Sequence, residues 1–95
     1  MDIRKMKLAL TVDLMNLGLP QNPLLMAQQA MQKFRSEAGK FKGLFLAEKF
    51  PINYSFESQK AALQFERCTL DLDLVTDVKS QVQYIQGFDL KANLN

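Results

Sequence analysis

The chain has 95 residues, 47% of them hydrophobic and 23% charged, and a net charge of +2. That length suits one domain spanning 1–95, and the composition excludes disorder throughout. One cysteine and no histidine exclude an internal disulfide, histidine-based acid–base or nucleophile pairs, and histidine or four-cysteine metal sites within one chain.

No run approaches the ~20 apolar residues of a membrane span. Asp13, Asn16 and Pro20 interrupt the apolar stretch from Leu8 to Leu19. The reading is a cytoplasmic protein with no membrane contact. Charge is uneven: residues 1–50 carry eight Lys/Arg against four Asp/Glu, and residues 51–95 carry four against six.

In chain order, Met6, Leu8, Leu10, Val12 and Leu14 share one parity and Lys5, Lys7, Ala9, Thr11 and Asp13 the other. Period two with one wet face predicts a half-buried strand. Gly18 to Pro23 then breaks the chain. Asn22 followed by Pro23 predicts a helix start, because asparagine caps orphan N–H groups and proline at the first position loses no needed donor. Leu24, Ala27, Met31, Phe34 and Ala38 make one apolar stripe, and Gly39 suits the position just past the helix end. Phe41 to Phe50, with Leu44-Phe45-Leu46-Ala47, predicts a buried strand ended by Pro51. Ile52, Tyr54 and Phe56 alternate as a short third strand.

Residues 58–67 fit two patterns. Ser58 as cap with Ala61, Ala62, Phe65 and Cys68 favours a helix, while Leu63 and Phe65 also alternate. Thr69 to Val75 predicts a strand with Leu70, Leu72 and Leu74 inward. Over 78–90, Val78, Val82, Tyr84, Phe88 and Leu90 share a parity that favours an extra C-terminal strand. Val75, Val78, Val82 and Ile85 alternatively match a helix. Residues 91–95 carry little apolar content and are expected to fray. The expected fold is α+β: a small single sheet in ferredoxin-like βαββαβ order plus the extra strand, with helices on one face. That order hosts many functions and decides none.

No phosphate-cradling glycine motif is present, so no cofactor is predicted. Asp71 and Asp73, two apart on a strand, share a face and could hold a hard cation. Alternation alone also requires polar residues there, so no metal site is assigned. Cys68 reads as a small core residue at a junction rather than a reactive thiol.

Two surfaces are candidates for binding. Leu25 and Met26 lie off the helix stripe and, with Met15, would present apolar surface to a protein partner or a second copy. An open sheet edge offers a further route to association. Lys33, Arg35, Lys40, Lys42 and Lys49, interleaved with Phe41, alternatively suit single-stranded nucleic acid. Lys42-Gly43 opens as an RNA-recognition signature does, but Leu44-Phe45-Leu46 departs from it at once. The function expected is therefore a non-enzymatic protein-binding or self-assembly module, with nucleic-acid binding as the alternative.

Overall fold

The computed structural model describes residues 1–15 and 22–93. Two helical segments precede every strand: α1 (Ile3–Met15), then α2 (Pro23–Met31), which continues through a 3₁₀ turn at Gln32–Phe34 into α3 (Arg35–Ala38). Five strands follow: β1 (Phe41–Leu46), β2 (Phe50–Pro51), β3 (Phe56–Phe65), β4 (Cys68–Asp77) and β5 (Gln83–Ala92). They form one antiparallel sheet in the order β1-β3-β4-β5, with β2 also paired to β3. The class is α+β, but the expected ferredoxin-like alternation is not the one adopted, because no helix separates the strands.

The first segment corrects the strand reading of 5–14. Met6, Leu10 and Leu14 are the buried residues of α1, spaced four apart on one helical face. A run of alternating apolar residues contains that helical subset, and Met, Lys, Leu and Ala favour a helix over a strand. Asp2 Oδ1 accepts the Lys5 N–H at 3.1 Å, capping the start. The other members of the alternating set, Leu8 and Val12, are left exposed.

The second helix follows its predicted signals. Asn22 Oδ1 accepts the Leu25 N–H at 3.1 Å and Pro23 opens the helix. Ala27, Met31 and Ala38 are buried, and Leu24 and Phe34 pack against the core. Gly39 closes the segment at φ 84°.

In β4 the residues Cys68, Leu70, Leu72 and Leu74 are all buried. They meet Ala61, Leu63 and Phe65 of β3, Leu90 of β5, and the inner faces of α1 and α2 in a single core on one side of the sheet. A fully buried leucine contributes roughly 1.5–3 kcal/mol.

Residues 58–67 are not a helix but most of β3 and the turn beyond it. Alternation of Ala61, Leu63 and Phe65 wins because both sides of β3 are filled by paired strands. The proposed third strand over 52–56 is a turn at 52–55 leading into β3 at Phe56: Asn53 Oδ1 accepts N–H bonds from Ser55 and Phe56 at 2.8 and 3.0 Å.

Strand β5 bears out a C-terminal strand, but over Gln83–Ala92 rather than 78–90, with Val78 and Val82 in the β4–β5 turn and one change of parity. Asp73 lies opposite Gly87 but Leu74 opposite Ile85, so Gln86 is a bulge. Phe88, Leu90 and Ile85 therefore turn to the core, and Tyr84 falls opposite Val75 on the open face. The tail is tied down through residue 93. The Asn93 N–H donates to the Arg67 carbonyl at 2.9 Å, and Asn93 Nδ2 donates to the Phe65 carbonyl at 2.9 Å. Residues 94–95 lie outside the described residues. No described helix is long and apolar enough to cross a membrane.

Candidate functional site

The helices lie over the β4–β5 side of the sheet, where α1 meets β5. Strand β1, at the opposite edge, is left with five of its six residues exposed. This corrects the expectation that Leu44-Phe45-Leu46-Ala47 is a buried strand. The apolar run is present, but no element among the described residues covers it.

The register of β1 fixes where its groups point. Gly43, Leu44, Phe45 and Leu46 lie opposite Gln64, Leu63, Ala62 and Ala61. The Ala47 N–H donates to the Lys60 carbonyl at 2.9 Å, so residues 43, 45 and 47 direct their backbone groups to β3. By the alternation of an antiparallel ladder, Leu44 and Leu46 direct their N–H and C=O groups outward. Their side chains share the helix-side face with Leu63 and Ala61, while Phe45 stands on the open face beside Ala62. Leu44, Phe45 and Leu46 are 45%, 59% and 46% exposed. Phe50 and Ile52 extend the apolar row and are also exposed.

A shallow groove of about 390 Å³ lies at the start of this edge, lined by Gln28, Met31, Gln32, Arg35, Lys40 and Phe41 among others. Phe41 makes an edge-on contact with Phe65, with ring centroids 5.5 Å apart. The structure thus brings Arg35, Lys40 and Phe41 together. It does not join Lys33 to them as a free cation, because its Nζ contacts Asp13 Oδ2 at 2.7 Å. Lys42 is the extra residue of an irregularity between Phe41 and Gly43. Lys49 lies beyond the end of β1 and is exposed. Glu66 accepts the Lys40 N–H at 2.6 Å. That bond, opposed by desolvation and helped by the nearby charges of Lys42, Arg67 and Lys40, lowers its carboxyl below the ordinary glutamate value.

On the open face, Asp71 and Asp73 do share one side of β4. Lys60 reaches Asp73 at 3.0 Å and Lys91 reaches Asp71 at 3.4 Å. Asp89 lies opposite Asp71 and is held by Lys7 from α1 at 2.9 Å. Its hydrogen bond to Lys7 lowers its carboxyl below the ordinary value. Asp77 accepts N–H bonds from Lys79 and Ser80 in the β4–β5 turn. Each carboxylate of the row thus already has a cation or a turn to serve.

Of the residues assigned to an apolar helix face, Met15 and Leu25 are 42% and 49% exposed, and Met26 is half-buried. Leu8 and Val12 belong with Met15 on the outer side of α1, at four- and three-residue spacing. The strand reading of that segment hid them. Cys68 is fully buried, and burial pushes its thiol above the ordinary value.

The arrangement leaves outward backbone groups and exposed apolar side chains side by side along one edge of the sheet. Comparisons with protein-family models, curated proteins and solved structures find no match. The functional reading therefore rests on the geometry of the edge itself.

Proposed function

We propose that this chain is a non-enzymatic protein-binding or self-assembly module that takes an extended strand, from a protein partner or from another copy, onto the β1 edge. The observation that supports this reading is the coincidence, at Leu44 and Leu46, of outward backbone groups with exposed apolar side chains. An added strand satisfies the backbone groups, and its own side chains cover Leu44 and Leu46 on one face and Phe45 on the other. Incorporating a photoreactive residue at Phe45 tests it in the cells that make the protein. The expected result is a covalent protein adduct that disappears in Leu44→Pro, which removes an outward N–H without touching the β1–β3 ladder. No adduct, or one that persists in Leu44→Pro, refutes edge recognition.

A second reading is favoured by the clustering of Arg35, Lys40 and Phe41 around one groove. Two cations beside a partly exposed ring suit a single nucleic-acid strand. Binding of labelled oligonucleotides should then fall steeply with salt and vanish in Arg35→Glu/Lys40→Glu. No gel shift at low salt eliminates it.

A further inference from the structure

Building on that edge reading, we infer that the strand received at β1 is β1 of a second copy, paired antiparallel about a two-fold axis through Phe45. Three independent features select this occupant and this register.

The first is the backbone. A two-fold axis perpendicular to the sheet keeps helix-side residues of both copies on one face, so residues that oppose each other must share parity. The outward N–H and C=O groups of β1 belong to Leu44 and Leu46. Centring on Phe45 sets Leu44 of one copy opposite Leu46 of the other, twice, and all four residues exchange both hydrogen bonds. Centring on Leu44 instead would set Leu46 against Lys42, where the strand is irregular. Centring on Leu46 would set Leu44 against Glu48, beyond the strand end.

The second is the side chains. In the Phe45 register the four leucines meet on the helix-side face, and the two Phe45 rings face each other at a closely spaced, non-hydrogen-bonded position on the open face. Such aromatic cross-strand pairs are favourable. Phe41, Leu44, Phe45, Leu46 and Phe50 are 39–60% exposed along this edge, and a paired copy would cover Leu44, Phe45 and Leu46 directly, as part of the about 800 Å² per partner of a standard interface.

The third is charge. In the same register the flanks of the two strands come alongside each other, Lys42 at the start of one copy near Glu48 just past the end of the other, again twice. Both side chains are exposed, and neither joins a salt bridge among the described residues. A register shifted by two residues either way loses this match.

The test combines stoichiometry with register. Sedimentation equilibrium of the purified chain at micromolar to hundred-micromolar concentration should show a dimer, weakened at least ~10-fold in Leu44→Pro by the loss of two outward N–H donors. Cysteine substitutions then read the register. Phe45→Cys places two thiols across the axis within disulfide range, whereas Leu44→Cys places them diagonally, about 7–8 Å apart. Phe45→Cys should therefore oxidise to a covalent dimer faster than Leu44→Cys, with circular dichroism confirming that each variant is folded. A monomer at the highest concentration overturns self-pairing, and equal or faster cross-linking at Leu44 overturns the register. Neither result removes the edge reading, which fails separately if the Phe45 photoadduct is absent or survives Leu44→Pro.

Discussion

Gly39 is the joint between the helical layer and the sheet, and replacing it with alanine gives a quantitative test of how that joint is built. Its backbone sits at φ 84°, ψ −164°, a region that non-glycine residues occupy at about 1–3 kcal/mol. An added Cβ would lie 2.7 Å from the Glu66 Cβ and 3.0 Å from Glu66 Oε1. The carboxylate can swing away, but the Cβ is fixed to the β3–β4 turn. That turn is bound to the helix end through the Arg67 N–H and the Ala38 carbonyl at 2.9 Å. Strain and contact together place Gly39→Ala near the top of the range, at about 3 kcal/mol. A domain of this size has on the order of 5–14 kcal/mol in total. Urea denaturation followed by circular dichroism should show a midpoint lower by about 1–2 M with unchanged slope, and melting should fall by on the order of 10–20 °C. Gly87→Ala is the control: its Cβ meets only Asp73 Oδ2 at 3.8 Å, an ordinary contact, so stability should hold or rise slightly. A Glu66→Gly background removes the clashing Cβ and isolates the backbone contribution. If Gly39→Ala shifts stability by less than ~0.5 kcal/mol, the account of this joint is wrong.

Asn22→Ala removes the acceptor for the Leu25 N–H and should lower stability by about 1 kcal/mol in the same urea titration, with Asn22→Asp retaining it. Cys68, buried and with its thiol pushed up, should react with a thiol reagent only as fast as the protein opens, and rapidly once urea unfolds it. Glu66 is lowered in the fold, so its contribution is present above its ordinary titration range and is lost as pH falls through the lowered one. Glu66→Gln should therefore flatten the acid side of a stability-against-pH profile, and an unchanged profile counts against the Lys40 bond.

The elements legible from sequence carry their own local signals. Asn22-Pro23 and Gly39 bracket the second helical segment, and the leucine–aspartate alternation of 70–74 has one physical solution. The misread elements share a cause: their decisive contacts are remote in sequence. Residues 5–14 alternate, and only the core decides that Met6, Leu10 and Leu14 form the buried face. The turn at Glu66-Arg67 has no glycine or asparagine to announce it. It is held by Asn93 Nδ2 on the Phe65 carbonyl and by Arg67 Nη1 on the Ser36 and Glu37 carbonyls at 3.3 and 3.2 Å. Without that turn in view, Ala61, Ala62 and Phe65 pass for a helix stripe. The candidate edge was half legible: the sequence marks Leu44-Phe45-Leu46 as an apolar strand, but only the placement of the described helices against β5 shows that they leave it exposed.

The two edges of the sheet are handled in opposite ways, and the contrast bears on what assembly can form. Open edges invite pairing, and natural sheets guard them with bulges and charges. Strand β5 has both: the bulge at Gln86 interrupts its ladder, Asp89 and Lys91 stand near its end, and α1 reaches Asp89 through Lys7. Strand β1 has an irregularity only at its start, and Gly43 to Ala47 offer five residues without a charge. Two open edges would permit head-to-tail growth into a filament. With one edge guarded, the proposed pairing at the other would stop at a closed pair, because each copy would spend its single receptive edge on its partner.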